Sequence, residues 1–378
     1  MRFVDTFLFA EPHEADVLWV KLNVEDHLFH EWVVVENSYT LQGEYKGHCI
    51  NDLILGDERF AKFIPKLHVI ESDIKPDFPV GGRRVLDSET RRIESAQREA
   101  ATPYLLATYA DEDYVLISDV DECLDMEAAK RRRLLRSKAA KGEDIILVPR
   151  VRYMFDYDNR RLGRGCVPLV SIRQLKRDGS PDHYRRALGH PSVIWKHEMV
   201  FEYSYCYSRD SILRKYGTTG HVGFEQADLE AALRNNHRHV SEYRVSKYGS
   251  RPLEWTFETW FVKRRLNSRN SPAFVREHLA ELKTDVVSPD YKRNRMETYP
   301  QFFPKSRVRR ARRWIVLYGK TYSDLIVQNS HYIKYKSRGS HLLLAGHKLV
   351  TALRRPGRWA RVTRYLQRRR GRKNTARV

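Results

Sequence analysis

The chain has 378 residues, of which 41% are hydrophobic and 31% charged, so it is long enough to bury one large core or two ordinary ones. It has no apolar run of about 18 residues and no signal-peptide pattern at its N-terminus, so we expect no membrane-spanning helix. Its four cysteines form no CxxC pair, which argues against a zinc site or a disulfide framework. These features predict a cytoplasmic protein with reduced thiols.

The formal net charge of +21 comes from one end of the chain. Residues 301–378 contain 22 of the 69 Lys and Arg residues but only one acidic residue, Asp324. The preceding 300 residues carry 47 basic and 47 acidic side chains and are formally neutral. We therefore predict a domain over residues 1–300 and a separate basic, helical C-terminal extension over residues 301–378.

Strand and helix patterns alternate over the first 120 residues. Short apolar runs predict strands at 3–9, 31–37, 66–72 and 114–118, whereas apolar spacings of three and four predict helices at 14–29 and 86–110. Such alternation is typical of an α/β fold with a mostly parallel sheet flanked by helices. In these sheets, ligands bind beyond the carboxyl ends of the strands.

The pattern is less regular after residue 120. It predicts a helix at 126–142, strands at 144–158 and 192–208, and a short helix at 209–217. Residues 158–190 are rich in Gly, Arg and Pro, so we expect mostly loops there.

The predicted strand at 114–118 leads directly into a group of carboxylates. The segment SDVDECLD places Asp119, Asp121, Glu122 and Asp125 within seven positions. If strand geometry persists, residues 119 and 121 point to the same side, and two carboxylates at a strand end suit Mg²⁺ or Mn²⁺. Such a cation would hold a diphosphate and neutralise its charge as it leaves. Capping of the following helix is the alternative interpretation.

Five sequence blocks resemble glycosyltransferase family 17, which includes the β-1,4-N-acetylglucosaminyltransferases that bisect N-glycans. They are DTFLF at 5–9, EADVLWVKL at 14–22, WVVVENSYTLQG at 32–43, ESAQRE at 94–99 and LISDVDE at 116–122. A weaker match continues at 201–221, so the resemblance covers about residues 1–240. It implies a GT-A-type, Rossmann-like fold, a nucleotide-sugar donor such as UDP-N-acetylglucosamine, and an inverting transfer.

The resemblance also implies roles for individual residues of this chain. The residues that match donor-binding positions are Asp5, Glu36, Arg98 and Asp119. The residues that match positions for the cofactor, Mn²⁺ or Mg²⁺, are Asp119, Asp121 and His221. Arg98 would face the diphosphate, and His221 would be a third metal ligand or a diphosphate contact.

An inverting transfer also needs a base that takes the proton of the acceptor hydroxyl. This base must lie on the far side of the sugar from the metal, so we expect it outside the Asp119/Asp121 pair. The segment HEMVFE at 197–202 supplies two catalytic candidates, Glu198 and Glu202. Glu202 is preferred because it replaces a histidine of the family in a matched block. The alternative is that both are surface carboxylates on a strand.

The basic extension allows three interpretations. Apolar residues recur at spacings of three and four with arginines between them, which predicts basic amphipathic helices that bind an anionic membrane surface. Arginine clusters with interleaved Trp and Tyr also suit nucleic acid. A solvated tail that aids solubility is the third interpretation. Membrane binding is preferred, and nucleic acid is the least favoured partner.

Together these patterns predict a metal-dependent inverting glycosyltransferase at the inner membrane face, acting in polysaccharide biosynthesis. It would move an N-acetylglucosamine-like sugar from a nucleotide-sugar donor to a glycan or lipid-linked acceptor. The alternative is a non-catalytic glycan- or nucleotide-binding protein with a degenerate transferase domain, anchored by the extension. The intact Asp119/Asp121 pair favours the enzyme, since a decayed site would be expected to lose it.

Overall fold

The structure is a computed structural model. It describes residues 1–77, 87–127, 129–154, 156–161, 165–186, 192–193, 198–218, 261–263, 266–268, 270–282 and 284. The predicted metal ligand His221 and the basic extension over 301–378 lie outside these residues.

Eleven strands in the described residues form one mixed sheet. The strands are β1 Phe3–Phe9, β2 Glu31–Asn37, β3 Leu67–Ser72, β4 Tyr114–Ile117, β5 Glu122–Leu124, β6 Ile145–Met154, β7 Asn159–Arg161, β8 Gly165–Ser171, β9 Ser192–Val193, β10 Val200–Ser204 and β11 Phe261–Lys263. Strand β1 begins two residues after the first residue, as the apolar run there predicts.

Short and medium-length helices connect these strands. They are α1 Ala15–Glu25, α2 Ile50–Gly56, α3 Asp87–Glu99, α4 Thr102–Thr108, α5 Ala129–Ala139, α6 Ile172–Asp178, α7 Pro181–Arg186, α8 Arg209–Thr218, α9 Ala273–Glu277 and α10 Leu279–Leu282. Two 3₁₀ segments are also present, Pro12–Glu14 with three residues and Glu58–Lys66 with nine. None of the helices in the described ranges is long and apolar enough to span a membrane.

The first half of the sheet is parallel, as the alternation of strands and helices predicts. Strands β3, β2, β1 and β4 are neighbours in that order and pair in parallel. Parallel neighbours bring their carboxyl ends to one edge of the sheet. Glu36 at the end of β2 and Asp119 just after β4 therefore lie at the same edge.

The second half of the sheet departs from the mostly parallel arrangement that we expected. Strand β8 pairs antiparallel with both β4 and β6, and β10 pairs parallel with β6 and antiparallel with β5. The structure also corrects the prediction of mostly loops at 158–190, since strands β7 and β8 and helices α6 and α7 lie there. The run GCVPLVS forms β8 because its apolar residues are buried between β4 and β6.

Both faces of the parallel half are covered, because apolar side chains alternate along its strands. In β2, Trp32 and Val34 pack into one cluster with helix α1, whereas Val33 and Val35 pack into another with helices α4 and α6. Burial on both faces explains the nearly continuous apolar runs of these strands.

The helix predicted at 86–110 is two helices. Helix α3 ends at Glu99, and α4 begins at Thr102 with Pro103 in its first turn. Proline lacks the N–H that a helix interior needs, but the first turn leaves that N–H unpaired in any case. The break matters for the site, because α3 carries Arg98 and turns its side chain towards the end of β4.

Candidate active site

Asp119 is held between two arginines at the carboxyl end of β4. Arg98 donates to one carboxylate oxygen and Arg185 to the other. Burial alone would raise the pKa of Asp119, but Arg185 and Arg98 hold it well below its usual range. About 36% of the Asp119 side chain is exposed. The predicted donor-binding residues Asp119 and Arg98 therefore meet each other in this structure.

Local sequence explains how Arg185 reaches this point. Helix α6 begins at an N-cap, Ser171, whose hydroxyl accepts from the Gln174 N–H, and it ends at Gly179, whose φ of +73° suits glycine. Pro181 then begins α7. Ser95 on α3 donates to Asp182 at 2.9 Å and ties α7 to α3. Arg185, on the last turn of α7, is thereby placed over the end of β4.

Asp121 has a different environment from Asp119. Its side chain is 9% exposed, and no hydrogen-bond donor or cation of the described residues is within bonding distance. Burial raises the pKa of Asp121 to about 7, and the nearby carboxylates of Glu202, Asp119 and Glu122 act in the same direction, while Lys215 opposes them. Asp121 is thus a buried carboxylate without a direct partner among the described residues, and the positive charge of Lys215 only partly offsets the effect of its burial.

A network of arginines and carboxylates lies next to this pair. Glu122 on β5 is directly opposite Glu202 on β10, and Arg150 on β6 forms ion pairs with both. Arg152 pairs with Glu202 at 2.5 Å, and Arg185 pairs with Glu122 at 2.7 Å. The like charges of Glu122 and Glu202 are thus tolerated because guanidinium groups lie between them.

This network argues against Glu202 as the base. Burial would raise its pKa, but Arg150, Arg152 and the hydroxyl of Ser204 lower it to about 2. A general base works best with a pKa near the operating pH, and a carboxylate tied to two arginines does not meet that condition. Glu202 is better explained as the residue that holds Arg150 and Arg152 in position. The family resemblance of the block that contains Glu202 gave no indication of Arg150 and Arg152 as its partners.

Glu198, the second candidate base, precedes β10. Both of its carboxylate oxygens accept from Arg160, at 2.6 and 3.1 Å. Glu198 therefore also lies in an ion pair, and its catalytic role stays a prediction.

Asp5 lies inside the core and reaches no open surface. Its carboxylate forms an ion pair with Lys21 at 2.6 Å and accepts from the hydroxyl of Ser118 at 2.8 Å. Both Asp5 and Lys21 are fully buried. The structure therefore gives Asp5 a supporting position beneath the strand end in place of the predicted donor contact.

Glu36 holds the start of helix α2. Its carboxylate accepts from the backbone N–H groups of Cys49 and Ile50, both at 3.0 Å, and from Lys46 at 2.9 Å. Burial would raise its pKa, but the hydrogen bonds from Cys49, Lys46 and Ile50 outweigh this effect and lower it. Glu36 lies at the predicted edge of the sheet, but its described contacts are those of a helix cap.

Replacement of Glu36 by glutamine is expected to destabilise the fold by about 1–2 kcal/mol at pH 7, because the charged acceptor of the α2 cap is lost. Since the folded-state pKa of Glu36 is lowered, its contribution is present above the unfolded pKa of about 4.3 and is lost as the pH falls further. Urea unfolding from pH 7 to pH 3 should show the two proteins converging at low pH. A constant difference over that range would contradict this explanation.

The surroundings of Asp119 and Asp121 bear on the predicted divalent cation. The described ranges contain no group of three His, Cys, Asp or Glu side chains arranged to hold a metal. However, the network there joins five carboxylates, which are Glu94, Asp119, Glu122, Asp182 and Glu202, to four guanidinium groups, which are Arg98, Arg150, Arg152 and Arg185. The carboxylate of Asp121 lies beside this network without a hydrogen bond or ion pair to any described residue, and Lys215 is the positive charge that opposes its raised pKa. Carboxylate oxygens are the ligands that Mg²⁺ and Mn²⁺ prefer, so the chemistry of Asp121 suits such a cation, while the described residues supply no complete set of ligands around it.

Three residues of this site were missed by the sequence analysis. Arg150 and Arg152 alternate along β6, and their spacing of two could have indicated that they share a face. Arg185 had no such signal, because its surroundings were interpreted as loop.

Comparison with known proteins gives no family for the chain. No family model matches it, and no curated protein matches its sequence. Among solved structures, it is similar over 46% of its length to the galactosyltransferase LgtC in complex with donor and acceptor sugar analogues, with 12% identity, a TM-score of 0.26 and 59% of that chain covered.

Two further structures show similarity of the same order. A mycobacterial protein matches over 53% of this chain and 65% of its own, with 13% identity and a TM-score of 0.27. Mannose-6-phosphate isomerase from Helicobacter pylori matches over 56% of this chain and 88% of its own, with 8% identity and a TM-score of 0.27. At such TM-scores none of these likenesses bears on function, which has to be inferred from the contacts of this chain.

Proposed function

We propose that this chain is a metal-dependent inverting glycosyltransferase, which moves an N-acetylglucosamine-like sugar from a nucleotide-sugar donor to a glycan or lipid-linked acceptor. The observation that carries the proposal is the buried carboxylate of Asp121, which has no direct partner among the described residues, beside the arginine-bound Asp119 at the carboxyl edge of a parallel sheet. That edge is where α/β sheets bind their ligands. Carboxylates for a cation and guanidinium groups for phosphates are the two chemistries that a sugar nucleotide requires.

Each side chain of the site would have one task in the transfer. Asp121, with Asp119 beside it, would hold Mn²⁺ or Mg²⁺, and the bound cation would supply neutralisation of the charge on the leaving diphosphate. Arg98 would orient the diphosphate and stabilise its negative charge. Arg98 is suited to this because the backbone carbonyl of Ser118 and the carboxylate of Glu94 hold its guanidinium, both at 2.9 Å. A guanidinium group that is already held in place needs no reorganisation when negative charge develops on the leaving diphosphate.

The test is hydrolysis and transfer from a panel of nucleotide sugars, with UDP-N-acetylglucosamine tried first. We expect turnover with Mn²⁺, loss of turnover in EDTA and recovery on adding Mn²⁺ back, because the carboxylate of Asp121 would repel a diphosphate unless a cation is bound to it. Absence of metal-dependent turnover with every donor of the panel would contradict the proposal.

The non-catalytic alternative has one observation in its favour. Asp119, Glu198 and Glu202 are all tied to arginines, which is the pattern of a structural network as well as of a resting enzyme. A degenerate transferase domain would bind a nucleotide or glycan and show no turnover. The same panel of nucleotide sugars distinguishes an enzyme from a binding protein, if the binding of each donor is measured together with its hydrolysis.

A further inference from the structure

Arg185 bridges two acidic residues at the end of β4. It donates to Glu122 at 2.7 Å, to a carboxylate oxygen of Asp119, and to the backbone carbonyl of Ile117 at 3.4 Å. A planar guanidinium group that binds two acceptors side by side presents the fork that also matches a phosphate. The carboxylate oxygens of its own chain therefore occupy the two acceptor positions on Arg185 that the phosphate oxygens of a diphosphate would occupy.

The partners of Arg185 would stay satisfied if it turned away from them. Glu122 would keep Arg150 and the backbone N–H of Asp119, which donates to it at 2.9 Å. Asp119 would keep Arg98. The arrangement therefore does not depend on Arg185 alone, and an incoming anion can compete for its guanidinium without leaving a buried carboxylate unpaired.

Arg98 is held more firmly than Arg185. It is fixed by a backbone carbonyl and by Glu94 on its own helix, and its side chain is 5% exposed against 16% for Arg185. Of the two arginines on Asp119, Arg185 is thus the one that is free to exchange partners.

We propose that Arg185 is a ligand of the donor diphosphate, and that its ion pair with Asp119 is replaced by phosphate oxygens when the donor binds. This inference rests on the proposed function and adds a consequence to it. Loss of the Arg185 contact leaves one Asp119 oxygen open beside Asp121, whose carboxylate has no direct partner in the part of the chain that the structure describes. Diphosphate binding and cation binding therefore promote each other, and the coupling between them passes through Arg185.

The experiment measures binding by calorimetry in the full chain, with inorganic pyrophosphate and with UDP as probes, first in EDTA and then with Mn²⁺. In EDTA, R185Q is expected to lower the affinity for both probes by about tenfold to hundredfold, because charge-assisted hydrogen bonds to the phosphate oxygens are lost. Without nucleotide, Mn²⁺ should bind R185Q more tightly than wild type, since Asp119 has lost a competing arginine. The factor by which UDP tightens Mn²⁺ binding should then fall by about fivefold.

The matched control is R177Q, which removes the same charge from helix α6, where Arg177 pairs with Asp144 at the surface. It should leave all of these values unchanged within twofold. If R185Q does not fold, as judged by circular dichroism and thermal melting, R185K decides the question, because lysine keeps the charge but loses the fork. An intermediate loss of pyrophosphate affinity in R185K supports the assignment.

Two results would overturn the inference, and they are distinguishable. If wild type binds pyrophosphate and R185Q, or R185K in its place, binds it equally well, the role of Arg185 is wrong and the proposed function stands. If wild type binds neither pyrophosphate nor UDP, with or without Mn²⁺, both the inference and the proposed function fail.

Discussion

Replacement of Asp121 by asparagine is expected to abolish sugar transfer and, at the same time, to stabilise the fold. The carboxylate is buried without a direct partner in the described residues, and the carboxylates near it add to the effect of burial, which Lys215 only partly opposes. A neutral amide of the same shape relieves that repulsion and the cost of burying an incompletely compensated charge. It also removes the charge with which the site would hold a cation.

The two effects have different magnitudes and are measured separately. Turnover of the donor should fall by about 10³-fold, since the cation supplies several kcal/mol of charge stabilisation. The free energy of unfolding in EDTA should rise by about 1–3 kcal/mol, because the substitution removes a buried charge that lowers the stability of the fold. Urea titration of wild type and D121N at pH 7.5 gives the second value.

Asp113 offers the matched control for this substitution. Its carboxylate is also buried, but it accepts from the backbone N–H of Arg2 at 2.6 Å and from the Arg2 side chain at 2.7 and 3.0 Å. D113N should therefore destabilise the fold by about 1–3 kcal/mol and leave the metal dependence of turnover unchanged. If D121N and D113N shift stability in the same direction, the description of Asp121 as only partly compensated is wrong.

Replacement of Lys21 by methionine is expected to cause the largest loss of stability, about 3–5 kcal/mol. Lys21 is fully buried and forms ion pairs with Asp5 at 2.6 Å and Glu25 at 3.1 Å, both themselves fully buried. It also donates to the backbone carbonyl of Glu122 at 2.6 Å. Burial would lower its pKa, but Asp5 and Glu25 outweigh this effect and raise it. Removal of the ammonium group leaves two carboxylates in the core without their shared cation.

Lys176 provides a control, because it forms an equally short ion pair with Asp111, at 2.7 Å, on the surface. K176M should change the free energy of unfolding by less than about 1 kcal/mol. The triple variant D5N/K21M/E25Q should recover part of the loss, since no charge then remains buried. Equal effects of K21M and K176M in urea unfolding would show that burial does not control the strength of these pairs.

The same Lys21 network connects the core to the candidate site. Lys21 also donates to the hydroxyl of Ser118 at 3.1 Å, and Ser118 in turn donates to Asp5 and precedes Asp119. The backbone carbonyl of Ser118 accepts from Arg98. A buried ion pair thus fixes the strand end on which Asp119 and Arg98 meet, which explains why Asp5 matters there without contacting a donor.

Elements with a strong local signal were predicted from the sequence. The runs FVDTFLF and EWVVVEN correspond to β1 and β2 residue for residue, and their parallel pairing follows from the helix between them. The prediction failed where the local signal was ambiguous. Residues 158–190 contain Gly, Pro and Arg at high frequency, yet β8, α6 and α7 form there because long-range packing against β4 and β6 outweighs local preference.

The sequence by itself determined the parallel half of the sheet and the placement of Asp119 and Asp121 just beyond the end of a buried strand, because apolar periodicity and motif spacing are local properties of the chain. Only the tertiary structure decided what those carboxylates contact. The two arginines on Asp119 are 21 and 66 positions away in the chain, and no local pattern reports such distances. Charge compensation depends on which side chains folding brings together, so the difference between Asp119, with two arginines, and Asp121, with no direct partner among the described residues, is a property of the fold.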